Sequence, residues 1–221
     1  MKIINGIEVL TTRSELLCPD SCALLVIDMQ NENLKDNGGY ARHGTEVREV
    51  LNIAASIRDL LEAARTTGVP VFYTEFIHRS RLNVNLNDGP NLYVHRDSDF
   101  VSEVEDDTWE AQTIDELTPQ HGDVVLKKTR ASAFHGTTLA NQLFNLGIRS
   151  LVLTGMITQG CVLHTHAEAL NQGFYPVVAR DAVGSYEKEW HDLSMRWMGR
   201  KSPIYTTSDI CAEWRELRPS A

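Results

Sequence analysis

ALLVID, residues 23–28, is five apolar residues closed by an acid. A strand that is apolar at every position is covered on both faces, as in a parallel sheet with helices above and below it. Downstream, between Thr45 and Arg65, Val47, Val50, Leu51, Ala54, Ile57, Leu61 and Ala64 recur at spacings of three and four. That spacing predicts a helix of about six turns, stopped by Gly68 and Pro70. Further strands are read at 71–75, 123–128, 150–154, 175–179 and 204–206, and helices at 138–145, 159–171 and 187–198. Strand–helix alternation implies parallel strands joined by right-handed crossovers. The expectation is a Rossmann-like three-layer α/β/α fold with a mostly parallel six-stranded sheet, as one domain over residues 1–221. Residues 76–122 break the rhythm, being polar and rich in Asn, Asp and His; they are expected as loops or a short helix over one sheet edge.

The formal net charge of −9 argues against a nucleic-acid partner, which calls for a basic face. No stretch approaches the roughly 18 apolar residues of a membrane span, and the N-terminal MKIINGIEVLTTRSELL has no apolar signal core. A cytosolic location is the expectation, and four scattered cysteines fit it. Cys18 and Cys22 stand at a zinc-ligand spacing, but no matching Cys or His pair follows, so they read as plain thiols.

In an open parallel sheet, ligands bind beyond the carboxyl ends of the strands. Asp28 ends the first strand, Glu75 the second and Lys128 the third, and Cys161 follows the fourth, so an acid, a base and a thiol are expected on one rim. No Gly-x-Gly-x-x-Gly and no phosphate-binding Gly-Lys-Ser/Thr loop is present, which leaves a nucleotide cofactor without support.

Three stretches carry a family resemblance: ALLVIDMQNEN at 23–33, VVLKKTRASAFHGTTL at 124–139 and LVLTGMITQGCVLHT at 151–165. In order and separation they resemble the isochorismatase-like hydrolases, the superfamily of cysteine amidohydrolases that includes nicotinamidases and N-carbamoylsarcosine, ureidoacrylate and biuret hydrolases. The resemblance covers nearly the whole chain. It implies a triad of Asp28, Lys128 and Cys161, with Lys128 selected over Lys127 by its place two residues before Arg130. It also implies a cis peptide between Met156 and Ile157, which turns the N–H groups of Ile157 and Cys161 toward one point as an oxyanion hole.

General chemistry agrees with these roles. A thiol with pKa near 8.5 is mostly protonated at neutral pH, and a nearby ammonium and a helix N-terminus at Cys161 would favour its thiolate. An aspartate can take the thiol proton and hand it to a departing amine, and a thioester then needs only water. The expected reaction is hydrolysis of the C–N bond of a small amide, ureido or N-carbamoyl compound, without metal or organic cofactor.

Substrate contacts are expected from Asn31, Glu75, Trp109, Phe134, His135, Thr158 and Gln159, with Glu32 and Phe76 beside them on the same rim, and from Arg79, Arg81 and His78 if the substrate carries a carboxylate. His164, one helical turn past Cys161, makes a Cys–His dyad conceivable, but a side chain one turn on leans back along the helix flank, which argues against it; His166 reads either as a subunit contact or as a pocket residue. Metal-bearing nicotinamidases have an Asp-x-His segment after the first strand. Here Asp36 has no such His and only His43 lies beyond, so the resemblance argues against a metal and against nicotinamide. Isochorismatases that cleave a vinyl ether generally lack the cysteine. The Gly38–Gly39–Tyr40 segment and Trp109 resemble the ureidoacrylate branch. The family resemblance implies a homo-oligomer, a dimer or tetramer. Readings of another class are a catalytically idle binding protein on the same fold and a thiol redox sensor.

Overall fold

The structure is a computed structural model, and it describes residues 2–77 and 104–218. In chain order the elements begin with strands β1 (Lys2–Ile4) and β2 (Ile7–Val9), helix α1 (Arg13–Leu16) and strand β3 (Cys22–Ile27). Helices α2 (Asn31–Leu34), α3 (Gly39–Arg42), α4 (Arg48–Leu51) and α5 (Ile53–Thr67) lead to β4 (Val71–Phe76) and β5 (Val124–Lys128). There follow α6 (Leu139–Asn145), β6 (Ser150–Met156), α7 (Leu163–Asn171), β7 (Tyr175–Gly184), α8 (Lys188–Met198), β8 (Ile204–Tyr205) and α9 (Thr207–Leu217). Strands β3 to β8 form a six-stranded parallel sheet of order β5-β4-β3-β6-β7-β8.

Strand β3 lies at the sheet centre and shows why its sequence is apolar throughout. Successive strand residues point to opposite faces. Cys22, Leu24 and Val26 enter one core layer with α5 and α9, while Ala23, Leu25 and Ile27 enter the other with α6, α7 and α8. The result is the expected three-layer α/β fold.

Several element bounds differ from the sequence reading. The helix read over 45–65 is two pieces meeting at Asn52, whose backbone stays helical (φ −58, ψ −25). Strand β7 runs on to Gly184, with a register break against β6 between Leu153 and Gly155. In that irregular stretch Asp181 leaves the ladder and accepts bonds from the Thr207 N–H and hydroxyl at the start of α9. The helix expected from Gln159 is preceded by a wide turn, Thr158–Val162, broken by Gly160 (φ −104, ψ −108). The N-terminal hairpin and α9 were not anticipated. Of the atypical stretch 76–122, Arg79, Arg81 and His78 lie outside the described residues, and 104–122 holds a short 3-10 turn at Asp115–Leu117. Among the described residues no helix is long and apolar enough to cross a membrane.

Candidate active site

β3, β5 and β6 end on the same edge of the sheet, and each delivers one reactive group there. Asp28 follows β3 in the left-handed region (φ 52), a conformation that Asp tolerates better than most residues. Thr74 donates to its Oδ1 at 2.7 Å, and Asn33 Nδ2 donates to its carbonyl at 2.9 Å. Asp28 is thus fixed by its carboxylate from a neighbouring strand and by its main-chain carbonyl from α2, and only 2% of the residue is exposed.

Lys128 comes from β5, two strands from β3 in the sheet order. With strands about 4.8 Å apart, a side chain at that position must span roughly 10 Å, which is within reach of a lysine leaning across β4. It does lean across: Nζ lies 4.5 Å from the Phe76 ring centroid, 2.7 Å from Asp28 Oδ2 and 3.3 Å from Cys161 Sγ. The carbonyls of Arg130 and Ala131 accept from the same nitrogen at 3.0 and 3.2 Å. Burial works against its charge, but Asp28 and then Cys161 outweigh burial and raise its pKa.

Register explains why Lys127 does something else. Phe76 sits beside Lys128 and Glu75 beside Lys127 in the β4–β5 pairing, and the two pairs face opposite sides of the sheet. Lys127 Nζ therefore meets Glu75 at 2.7 Å and Asp106 at 2.9 Å.

Cys161 stands in the turn between β6 and α7. Gly155 makes the approach possible. It has φ +103, and a Cβ there would fall 2.1 Å from the Ile27 carbonyl oxygen. Beyond it the Met156–Ile157 peptide is cis. The Cys161 thiol is pushed up to about 12, chiefly by burial and then by the Asp28 charge, with Lys128 pulling the other way. This reverses the expectation of a depressed thiol. Burial plus an adjacent carboxylate outweighs one ammonium, and α7 proper begins only at Leu163, so the sulfur precedes the helix.

The expected substrate contacts fare unevenly. Glu75 is turned to the opposite face, where Thr113 N and Oγ1 both donate to it at 3.0 Å, so it does not reach the Asp28 rim. Phe134 is 5% exposed and stacks on Phe174 at 5.6 Å, making it a core residue of the α6–α8 layer. Asn31 is buried and spends its amide on the Trp109 carbonyl at 2.8 Å, tying α2 to the 104–114 segment. Trp109 and His135 are exposed. Thr158 is fully buried against His191 Nδ1 at 2.8 Å, and Gln159 Nε2 reaches Glu187 at 3.5 Å while its Oε1 is buried without a partner.

The two histidines of α7 both lie away from the reacting groups. His164 Nδ1 turns back to the Gly160 carbonyl at 2.8 Å. His166 is wholly buried between Ser202 Oγ, 2.8 Å from Nε2, and the edge of Trp197, so it is neither at the surface nor in the site. Asp36 pairs with Arg48 at 3.0 Å and His43 is exposed. Phe76, expected at the rim, lies against Lys128. Thr74, which grips Asp28, was missed as a site residue, and its signal was the two-residue alternation along β4.

A protein-family model, the isochorismatase domain, matches residues 22–209. The chain belongs to the isochorismatase family. It is 35% identical to the N-carbamoylsarcosine amidase of Arthrobacter sp over 163 residues, 73% of this chain and 59% of that protein. It is 27% identical to a ureidoacrylate amidohydrolase of Rhizobium rhizogenes, over 92% of this chain and 87% of the other. Among solved structures, the N-carbamoylsarcosine amidase of Thermoplasma acidophilum superimposes with a TM-score of 0.67 at 30% identity, covering 85% and 96% of the two chains.

Proposed function

We propose that this chain hydrolyses the C–N bond of a small ureido, N-carbamoyl or amide compound, with Cys161 as nucleophile, Asp28 as proton shuttle and Lys128 as the cation that holds both. Its family and its amidase and amidohydrolase relatives make it a hydrolase acting on C–N bonds. The observation that carries the finer reading is the single lysine nitrogen 2.7 Å from the Asp28 carboxylate and 3.3 Å from the Cys161 sulfur.

The raised thiol pKa gives the mechanism its order. The thiol holds its proton until a substrate carbonyl is in place. As sulfur bonds to the carbonyl carbon, the thiol proton passes to Asp28, and Lys128 offsets the negative charge on the sulfur. The oxyanion takes the N–H groups of Ile157 and Cys161, donors commonly worth a few kcal/mol each when preorganised. The C–N bond then breaks, with its electron pair and the Asp28 proton leaving on nitrogen. Water adds to the thioester while Asp28 takes one of its protons. The collapsing intermediate expels sulfur, which recovers that proton, and the acid is released.

The same reading takes residues 1–221 as one unit, places it in the cytosol, where four free thiols are at home, and makes it a homo-oligomer. Exposed Trp190, Leu193 and Trp197 form a stripe on α8 that a second copy would cover. The test of function is ammonia release from N-carbamoylsarcosine, ureidoacrylate and simple carboxamides. Cys161→Ala should abolish turnover with folding kept, and Cys161→Ser should retain little, whereas Cys18→Ser should stay active. Full activity in Cys161→Ala would end the proposal.

A further inference from the structure

Thr158 follows the cis bond by one residue and precedes Cys161 by three. The turn it opens is held mostly to itself: Gly160 and Val162 N–H groups donate to the Ile157 carbonyl at 3.0 and 3.3 Å, and His164 caps the Gly160 carbonyl. Gly160 leaves helical geometry inside this single wide turn, whose five-residue backbone bonds do not extend beyond it on the strand side. A tie to a different element comes through the Thr158 hydroxyl, 2.8 Å from His191 Nδ1 on α8. His191 shares the inward face of α8 with Ser194 and Met198, both buried, which fixes where its ring stands. Burial lowers its pKa, Asp192 opposes and Lys188 assists, so the ring is neutral near pH 7. With the proton on Nε2, Nδ1 accepts from the Thr158 hydroxyl.

We propose that His191 is a positioning residue for the hydrolysis: by holding Thr158 it fixes the turn that presents the Cys161 sulfur and the Ile157 and Cys161 N–H groups. The inference rests on the cysteine-hydrolase reading. His191 touches no reacting atom, so its loss should fall on kcat and leave KM within about twofold. A misplacement of about 1 Å at a reacting centre costs up to a hundredfold.

The experiment measures ammonia release from whichever of N-carbamoylsarcosine and ureidoacrylate the wild type turns over faster, in His191→Ala, His191→Asn, Thr158→Val and the double variant His191→Ala/Thr158→Val. Expected are kcat losses on the order of tenfold to a hundredfold in His191→Ala and Thr158→Val. His191→Asn, whose amide reaches close to the Nδ1 position, should recover most of the rate. The double variant should be no slower than the worse single one, because both remove one contact. An active wild type whose His191→Ala variant keeps its kcat overturns this inference alone, as do additive losses or a failure of Asn to restore the rate in a folded protein. A wild type that hydrolyses neither these compounds nor simple carboxamides overturns the hydrolase reading, and this inference with it.

Discussion

Adjacent lysines on one strand lead opposite lives because consecutive strand residues face opposite ways. Lys128 is 1% exposed and bonded to Asp28 and to Cys161, while Lys127 closes an ion pair with Glu75 and Asp106 on the far side. The two should therefore fail differently. Lys128→Met should remove most of the rate and raise the Cys161 pKa still further, since the ammonium is the group that lowers it. Lys127→Met should lower the melting temperature, because it leaves Glu75 and Asp106 without their cation, yet keep kcat within a few-fold. Iodoacetamide reaction with Cys161 followed against pH reads the thiol directly. In the wild type the rate should keep climbing above pH 9 without a plateau near 8. A Lys127 variant slower than the Lys128 variant would place the wrong lysine in the site.

At the scale of elements, α7 and the α8–β8 connection meet at a buried imidazole. His166 on α7 has its Nε2 on Ser202, its Nδ1 buried without a partner, and a pKa lowered by burial to about 4. Burial disfavours the charged ring, so the neutral form is held. The folded pKa lies below the unfolded value of 6.5, so between those two pH values the unfolded chain binds more protons than the folded one. Stability should thus be full above pH 6.5 and fall as the pH drops toward 4, by an amount on the order of 3 kcal/mol from this residue. Urea unfolding at pH 7.5 and 5 should show that difference shrink in His166→Gln. An unchanged pH slope in the variant would contradict it. The end of the chain shows the same logic of legible local rules. Thr206 and Asp209 make a reciprocal capping box, and Ile210, Cys211 and Trp214 bury one face of α9 on α5. Neither that helix nor the N-terminal hairpin was expected from the sequence, yet each has a local signal: the capping box for the helix, and for the hairpin the Asn5-Gly6 turn, whose two positive φ angles suit a tight turn between paired strands.

Across the whole molecule, two expectations remain open to measurement. Among the described residues, no group of three His, Cys, Asp or Glu side chains could hold a metal ion. Exhaustive treatment with chelator should leave the hydrolytic rate unchanged, and activity that vanished and returned with a divalent ion would contradict a metal-free mechanism. The second concerns α8, whose Trp190, Leu193 and Trp197 are 54%, 44% and 44% exposed. Sedimentation should find more than one subunit in the wild type, and Trp190→Glu with Trp197→Glu should shift it toward the monomer. A monomeric wild type would remove the proposed assembly.

The parallel sheet, its six strands and the edge on which its reactive groups gather were legible in the chain itself. A strand apolar at every position can only be covered twice, and the alternation of such strands with amphipathic helices leaves few ways to connect them. The stretches around Asp28, Lys128 and Cys161 pointed to those residues through their resemblance to a family pattern. What they could not carry was direction and environment. Glu75 and Phe134 stand beside these motifs in sequence, yet a two-residue strand alternation sends one to the far face and core packing takes the other. The thiol was expected low because a nearby ammonium and a helix N-terminus were counted, and neither burial nor the Asp28 charge was. Its rise depends on the burial of the half-buried cysteine and on the nearness of the Asp28 charge, which the fold brings to the same lysine at 2.7 Å. His191 stands 30 residues after Cys161 and has no motif, and only the packing of α8 against the turn gives it a place beside Thr158. Periodicity is a property of the chain, but desolvation and contact across strands exist only once the layers have closed.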